Sequence, residues 1–188
     1  MTDSPVKNTG LIELLLRDHE QAKLLLESFD GLPGSRAETF CQIVHTLVGH
    51  EVAEEEVLYP AVRTYVDSGE AMTDERLAEQ AEAEDLLARL EGADPDSDAF
   101  LASFLKLRVS VLKHAEAEEQ MVFPALARAV SPDEQVRLGR RYERAKRAAP
   151  THPHPHAPDS PPGNLVMGPV VALVDRVRDA VRSAIKHE

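Results

Sequence analysis

Two stretches of the chain, HEVAEEEVLYPAV from His50 to Val62 and HAEAEEQMVFPAL from His114 to Leu126, repeat one pattern: a histidine, a glutamate four residues on, and a proline six residues beyond that glutamate. Their neighbours match in character, Ile43 with Leu107, Leu47 with Val111, Val57 with Met121 and Ala61 with Ala125. At about 100° per residue of helix, these positions and the His-Glu pairs fall within one stripe about 80° wide. Each histidine and its glutamate therefore stack on the apolar face and point into the same space. A chain built this way has to fold so that two helices turn their costliest side chains toward a shared interior.

The remaining periodicity supplies the other helices. Ile12, Leu15, Leu16, Ala22, Leu26 and Phe29 follow the three-and-four spacing of an amphipathic helix over residues 9–30, ended by the turn residues DGLPGS. His19 lies on that stripe. The repeated segments predict helices over 35–67 and 98–130, the latter with Asp98 as N-cap. Between them, Ala83, Leu86, Leu87 and Leu90 mark a helix over 73–91. Ser131, Pro132 and Glu134 form a start signal of N-cap serine, first-turn proline and capping-box glutamate, which predicts a fifth helix over 131–149. Residues 150–164, PTHPHPHAPDSPPGN, are expected to be an extended linker, because proline removes backbone donors and biases the preceding residue away from helix. Its His152, His154 and His156 lack the pre-organisation of a metal site and are read as linker. A last amphipathic helix over 165–187 carries Leu173, Val177, Val181 and Ile185 on one face, expected to pack on the bundle or on a partner protein. The fold class that follows is all-α: an up-down four-helix bundle over 9–130 with additional C-terminal helices.

Composition narrows the function. A net charge of -12 removes the basic stripe that a general nucleic-acid binder needs. No stretch is apolar enough to span a bilayer and MTDSPVKNTG is unlike a secretory leader, so no membrane span and a cytoplasmic location are expected. Cys41 is the only cysteine; set beside Phe40, Ile43 and Val44, it is expected to be buried and inert. Nucleophile constellations, phosphate loops and dinucleotide fingerprints are absent.

Burying Glu54 and Glu118 without compensation would cost several kcal/mol each or force them neutral. A metal ion compensates. Imidazole and carboxylate suit iron, manganese or zinc, and five protein donors (His19, His50, Glu54, His114 and Glu118) fit two irons better than one tetrahedral zinc. His45, off the stripe of His50, reads as a hydrogen-bonded core residue. Glu51, Glu55, Glu56 and Glu119 read as solvated helix surface, with Glu51 close enough to serve as an outer hydrogen-bond partner. Pro60 and Pro124 are expected to kink their helices beside the site.

RDHEQ around His19, HEVAEEEVLYP and HAEAEEQMVFP together resemble the hemerythrin family in its HHE cation-binding branch, whose pattern is His, His-x-x-x-Glu, His and His-x-x-x-Glu on four successive helices. The resemblance covers residues 9 to 130. It implies a ligand set of His19, His50, Glu54, His114 and Glu118, and in the third helix, AEQAEAEDLLARL, it places Gln80 where the family has histidine. The amide oxygen of Gln80, a carboxylate of Glu79, Glu82 or Glu84, or a water is then left to fill that position. The implied cofactor is an oxo-bridged pair of irons. With one imidazole fewer than the reversible oxygen carriers, the site is expected to bind or sense O2, peroxide or nitric oxide. The alternatives are a peroxide-disproportionating, catalase-like enzyme and an iron-storage or structural metal bundle.

Overall fold

The computed structural model describes residues 9–29 and 36–149. The expected linker and the helix over 165–187 lie outside them. Four long helical rods form the bundle: α1 (Leu11–Ser28), α2 (Arg36–Ala53) continued by α3 (Tyr59–Tyr65), α4 (Gly69–Leu90), and α5 (Asp98–Ala117) continued by α6 (Phe123–Ala129). α1 packs on α2, α3 on α4, α4 on α5, and α5 returns to α1. A fifth helix, α7 (Pro132–Ala148), lies against α1, α2 and the turn after α2. The all-α bundle expected from the repeats is the architecture observed.

Caps and boundaries follow local chemistry. Ser131 accepts from Glu134 N–H, as the start signal predicts. The cap of α5 is Ser97, accepting from Phe100 N–H, and Asp98 is the first helical residue instead, where its charge still favours the helix N-terminus. The break after α3 is only Val66 to Ser68, so α4 begins earlier than Thr73. Leu16 and Cys41 are exposed: α1 and α2 each bury one face, and these two positions fall outside it.

Both repeat units contain the same irregularity. A π-helical turn covers Glu54–Leu58 in one and Glu118–Val122 in the other, with Tyr59 N–H bonding Glu54 O and Phe123 N–H bonding Glu118 O across five residues. Proline needs room where the carbonyl four residues earlier would stand, and the extra residue in the turn provides it. The rod stays helical through each proline, but its phase slips. Met121, expected inward, is 45% exposed, while Val122 and Phe123 are buried in its place.

The core is divided in two. One cluster joins Leu11, Leu14, Leu15, Leu58, Val62, Leu126 and the inner face of α7. The other joins Leu26, Phe29, Phe40, Leu47, Leu87, Phe100 and Phe104, with the rings of Phe29 and Phe104 stacked at 3.8 Å. Between them lies a layer of buried polar side chains.

Candidate metal centre

α1 supplies His19 to that layer, α2 His50, α4 Gln80 and α5 His114, while the first residues of the two π-helical turns supply Glu54 and Glu118. All six are buried, and both glutamates are 0% exposed. One donor atom from each of His19, His50, Glu54 and Glu118 lies within 4.8 Å of the others. The two oxygens of Glu54 face different neighbours. Oε1 is 3.0 Å from His50 Nε2 and 3.9 Å from His19 Nε2, whereas Oε2 is 4.0 Å from His114 Nε2 and accepts from Gln80 Nε2 at 2.7 Å. Glu118 Oε2 stands between His19 Nε2 at 3.3 Å and His114 Nε2 at 3.6 Å, and its Oε1 accepts from Tyr59 OH at 3.0 Å.

Behind each imidazole stands a partner on Nδ1. His19 meets Glu119 at 2.9 Å, His114 meets Glu79 at 3.1 Å, and His50 meets the Tyr142 hydroxyl at 2.7 Å. Glu79 is in turn held by Arg76 at 3.3 Å. Carboxylates only accept, so Nδ1 of His19 and of His114 must carry hydrogen, and in the neutral rings each Nε2 is left with a lone pair turned inward. This is how proteins orient imidazole for a cation.

The layer carries its own test of fit. His19 Nε2, Glu54 Oε1, Gln80 Oε1, His114 Nε2 and Glu118 Oε2 are buried without a hydrogen-bond partner among the described residues. Leaving such atoms unpaired costs about 1–3 kcal/mol each. A nitrogen-and-oxygen donor set of this kind fits a transition-metal cation, to which such lone pairs would be directed.

Electrostatics without a cation point the same way. Burial disfavours charge on His19, but Glu118 and Glu54 outweigh it and raise its pKa to about 10. Burial also opposes charge on His114, and Glu54, Glu118 and Glu79 likewise raise it. Burial penalises Glu54, yet His50, His114 and His19 hold its carboxyl well below the usual range. Glu118 goes the other way, pushed up by burial and by the charge of Glu54. Protons on the imidazoles take the part that a cation would otherwise play. Tyr59 and Tyr142 are raised by burial and by nearby carboxylates, so both stay neutral phenols.

A cavity of about 30 Å³ opens onto the layer, enough for roughly two water-sized atoms. Its lining combines His19, His50, Gln80 and His114 with apolar residues that include Ala22, Leu47, Ala83 and Leu112, and with Lys23 and half-buried Glu51. Burial, followed by Glu84, Glu55 and Glu54, raises the pKa of Glu51 well above the carboxylate range.

All six residues singled out from the sequence thus meet in one layer. Gln80 occupies the third-helix position there; Glu79 serves His114 from behind, Glu82 is exposed and Glu84 half-buried. Glu119, expected to be solvated surface, instead reaches His19 from a side chain 43% exposed. His45 is exposed rather than a core residue, at a second cavity with Arg17 and Lys146. Asp18, Tyr59 and Tyr142 were not foreseen. Asp18 precedes His19 in RDHEQ, and Tyr142 is the aromatic residue on the inner side of α7, but which ring each would serve is a matter of packing.

The family model for the hemerythrin HHE cation-binding domain matches residues 10–126. An uncharacterised hemerythrin-like protein of Schizosaccharomyces pombe is 32% identical over 139 residues, spanning 73% of this chain and 68% of the relative. A protein of Nostoc named as a DNA nickase is 29% identical over 145 residues, covering 76% of this chain but only 41% of its own length. Among solved structures, a hemerythrin HHE cation-binding domain-containing protein of Mycobacterium kansasii superposes with a TM-score of 0.64 at 20% identity, over 73% of this chain and 88% of that one. That likeness is one of fold.

Proposed function

Because the chain belongs to the hemerythrin HHE cation-binding family, we propose that its polar layer is a non-haem di-iron centre that binds or senses O2, peroxide or nitric oxide. The observation that carries the reading is the set of unpartnered inward atoms from four rods, with Glu54 turning one oxygen to His19 and His50 and the other to His114 and Gln80. If two cations are held there, Glu54 would be the residue shared between them, and Glu118, whose Oε2 lies between His19 and His114, a second. Iron held there by His19, His50, Glu54, His114 and Glu118 would supply a redox-active Lewis acid. The third helix offers Gln80, an amide whose NH2 is committed to Glu54 and whose oxygen is a weak donor. This leaves the His114 side poorer in nitrogen and more open, which favours sensing or redox chemistry over reversible carriage.

The cavity supports small ligands. Its apolar wall and small volume suit a diatomic gas or peroxide better than an organic substrate. That same observation favours a second reading, peroxide disproportionation, because it is a redox reaction needing no organic co-substrate. Iron-loaded protein separates the two. Reversible spectral change with O2 or nitric oxide, without turnover, indicates a sensor. Oxygen evolution from added peroxide, lost in His114→Ala while the helical signal persists, indicates the enzyme. No spectral response to any of the three, with unfolding on chelation, would refute both and leave a structural metal bundle.

A further inference from the structure

His50 is the one imidazole of the layer whose Nδ1 rests on a neutral group. Its partner, Tyr142, comes from α7, beyond the residues 10–126 that the family model matches. The hydrogen inventory fixes the arrangement. Tyr142 has a single hydroxyl hydrogen and donates it to Asp18 Oδ2 at 2.8 Å, an oxygen that also accepts from Lys146 Nζ at 2.6 Å. Since an ionised carboxylate has no hydrogen to return, the phenol oxygen is left to accept from His50 Nδ1–H. In the neutral ring, Nε2 is then bare and faces Glu54 Oε1.

The rest of α7 is built to keep that hydroxyl in place. Tyr142 is buried, and Lys146, one turn on, neutralises Asp18, which would otherwise be a costly buried charge. Gly139, one turn earlier, lets the helix approach the start of α1 so closely that a Cβ there would lie 2.5 Å from Thr9 O. Asp18 is the sequence neighbour of His19. α1 thus provides one inward ring and, from the adjacent residue, the anchor for another on α2.

We infer that Tyr142, held by Asp18 and Lys146, is a positioning residue that fixes the tautomer and ring angle of His50 as a metal ligand, so that α7 is part of the metal centre. The inference rests on the metal reading of the layer. His19 and His114, backed directly by carboxylates, are made stronger donors than His50, backed by a phenol whose hydrogen is already committed. The three imidazoles are then unequal donors, with His50 the weakest.

The test uses the full chain carrying Tyr142→Phe, which keeps the ring and deletes the hydroxyl. Zinc(II) serves as a diamagnetic probe, and iron(II) affinity is measured by chelator competition. We expect iron(II) binding 10- to 100-fold weaker than in the unsubstituted protein, and in the zinc form a His50 Nδ1–H NMR signal that exchanges with solvent at least about tenfold faster. Leu138→Ala, buried in the apolar cluster one turn before Tyr142, controls for loosened packing of α7; it is expected to lower thermal stability and leave the His50 signal unchanged. Equal binding and an unchanged His50 signal in Tyr142→Phe overturn the inference alone, as does Leu138→Ala reproducing both effects. An unsubstituted chain that takes up neither metal sinks the metal reading and this inference with it.

Discussion

Replacing Glu118 with Gln should have opposite consequences with and without metal. Glu118 is fully buried, its Oε2 has no hydrogen-bond partner, and burial and Glu54 raise its pKa. A carboxyl whose folded pKa lies above its unfolded value costs stability once pH exceeds the unfolded value, because folding then works against its charge. Gln removes that cost and keeps an oxygen for the Tyr59 hydroxyl, at the loss of attraction to His19 and His114. Metal-free Glu118→Gln is therefore expected to be as stable as the unsubstituted protein or more so, by up to about 1 kcal/mol, roughly 2–4 °C in Tm. With metal the sign reverses. A cation at about 100 times its Kd adds about 2.7 kcal/mol, and a ligand loss that weakens binding about 100-fold leaves about 0.4 kcal/mol. Scanning calorimetry with and without iron(II) should show the metal-induced rise in Tm falling from roughly 5–11 °C to about 1 °C. A substitution that lowers metal-free stability by about 3 kcal/mol, the cost of breaking a buried ion pair, and leaves the metal-induced rise intact would make Glu118 a structural charge and not a metal ligand.

Three further outcomes follow from the same geometry. The pKa of His19 is raised from 6.5 to about 10, so its contribution to the metal-free fold is complete below pH 6.5 and is lost as pH climbs through 10; melts of chelator-treated protein should fall across that window, and a flat profile would contradict the assignment. Gln80→His restores an imidazole to the third helix and should tighten iron(II) binding about tenfold, worth about 1.4 kcal/mol, as read by chelator competition; unchanged affinity would mean that this side chain does not face the cation. Gly139→Ala drives a methyl against Thr9 O and should lower thermal stability by about 1–3 kcal/mol through displacement of α7; an unchanged Tm would show that the close approach is not needed.

What the sequence revealed about this protein was set by period, and what it concealed was set by packing. The stacked pairs His50 with Glu54 and His114 with Glu118 are legible because helix geometry fixes the direction of residues four apart. His19 and Gln80 are legible because they share a stripe or an aligned position with buried neighbours. Periodicity fails at Met121 but holds at Val57, its counterpart in the other π-helical turn, because α7 packs against the turn that carries Val57, and the period of a rod does not say which rod a further helix will cover. The outer partners were hidden for another reason. Asp18 and Tyr142 are far apart in the chain, and their contact exists only because α7 folds back on α1. Glu119 follows a ligand candidate in a run of charges, where solvated surface is the ordinary role, and its reach to His19 depends on the distance between α1 and α5.

Whether imidazoles and carboxylates from separate rods share a pair of cations can be read from metal analysis of freshly purified protein together with its near-ultraviolet absorption spectrum. A shared pair of cations predicts two irons per chain and the charge-transfer bands of a bridged ferric pair. A single zinc per chain with no such bands, or a folded protein without bound metal, would contradict it.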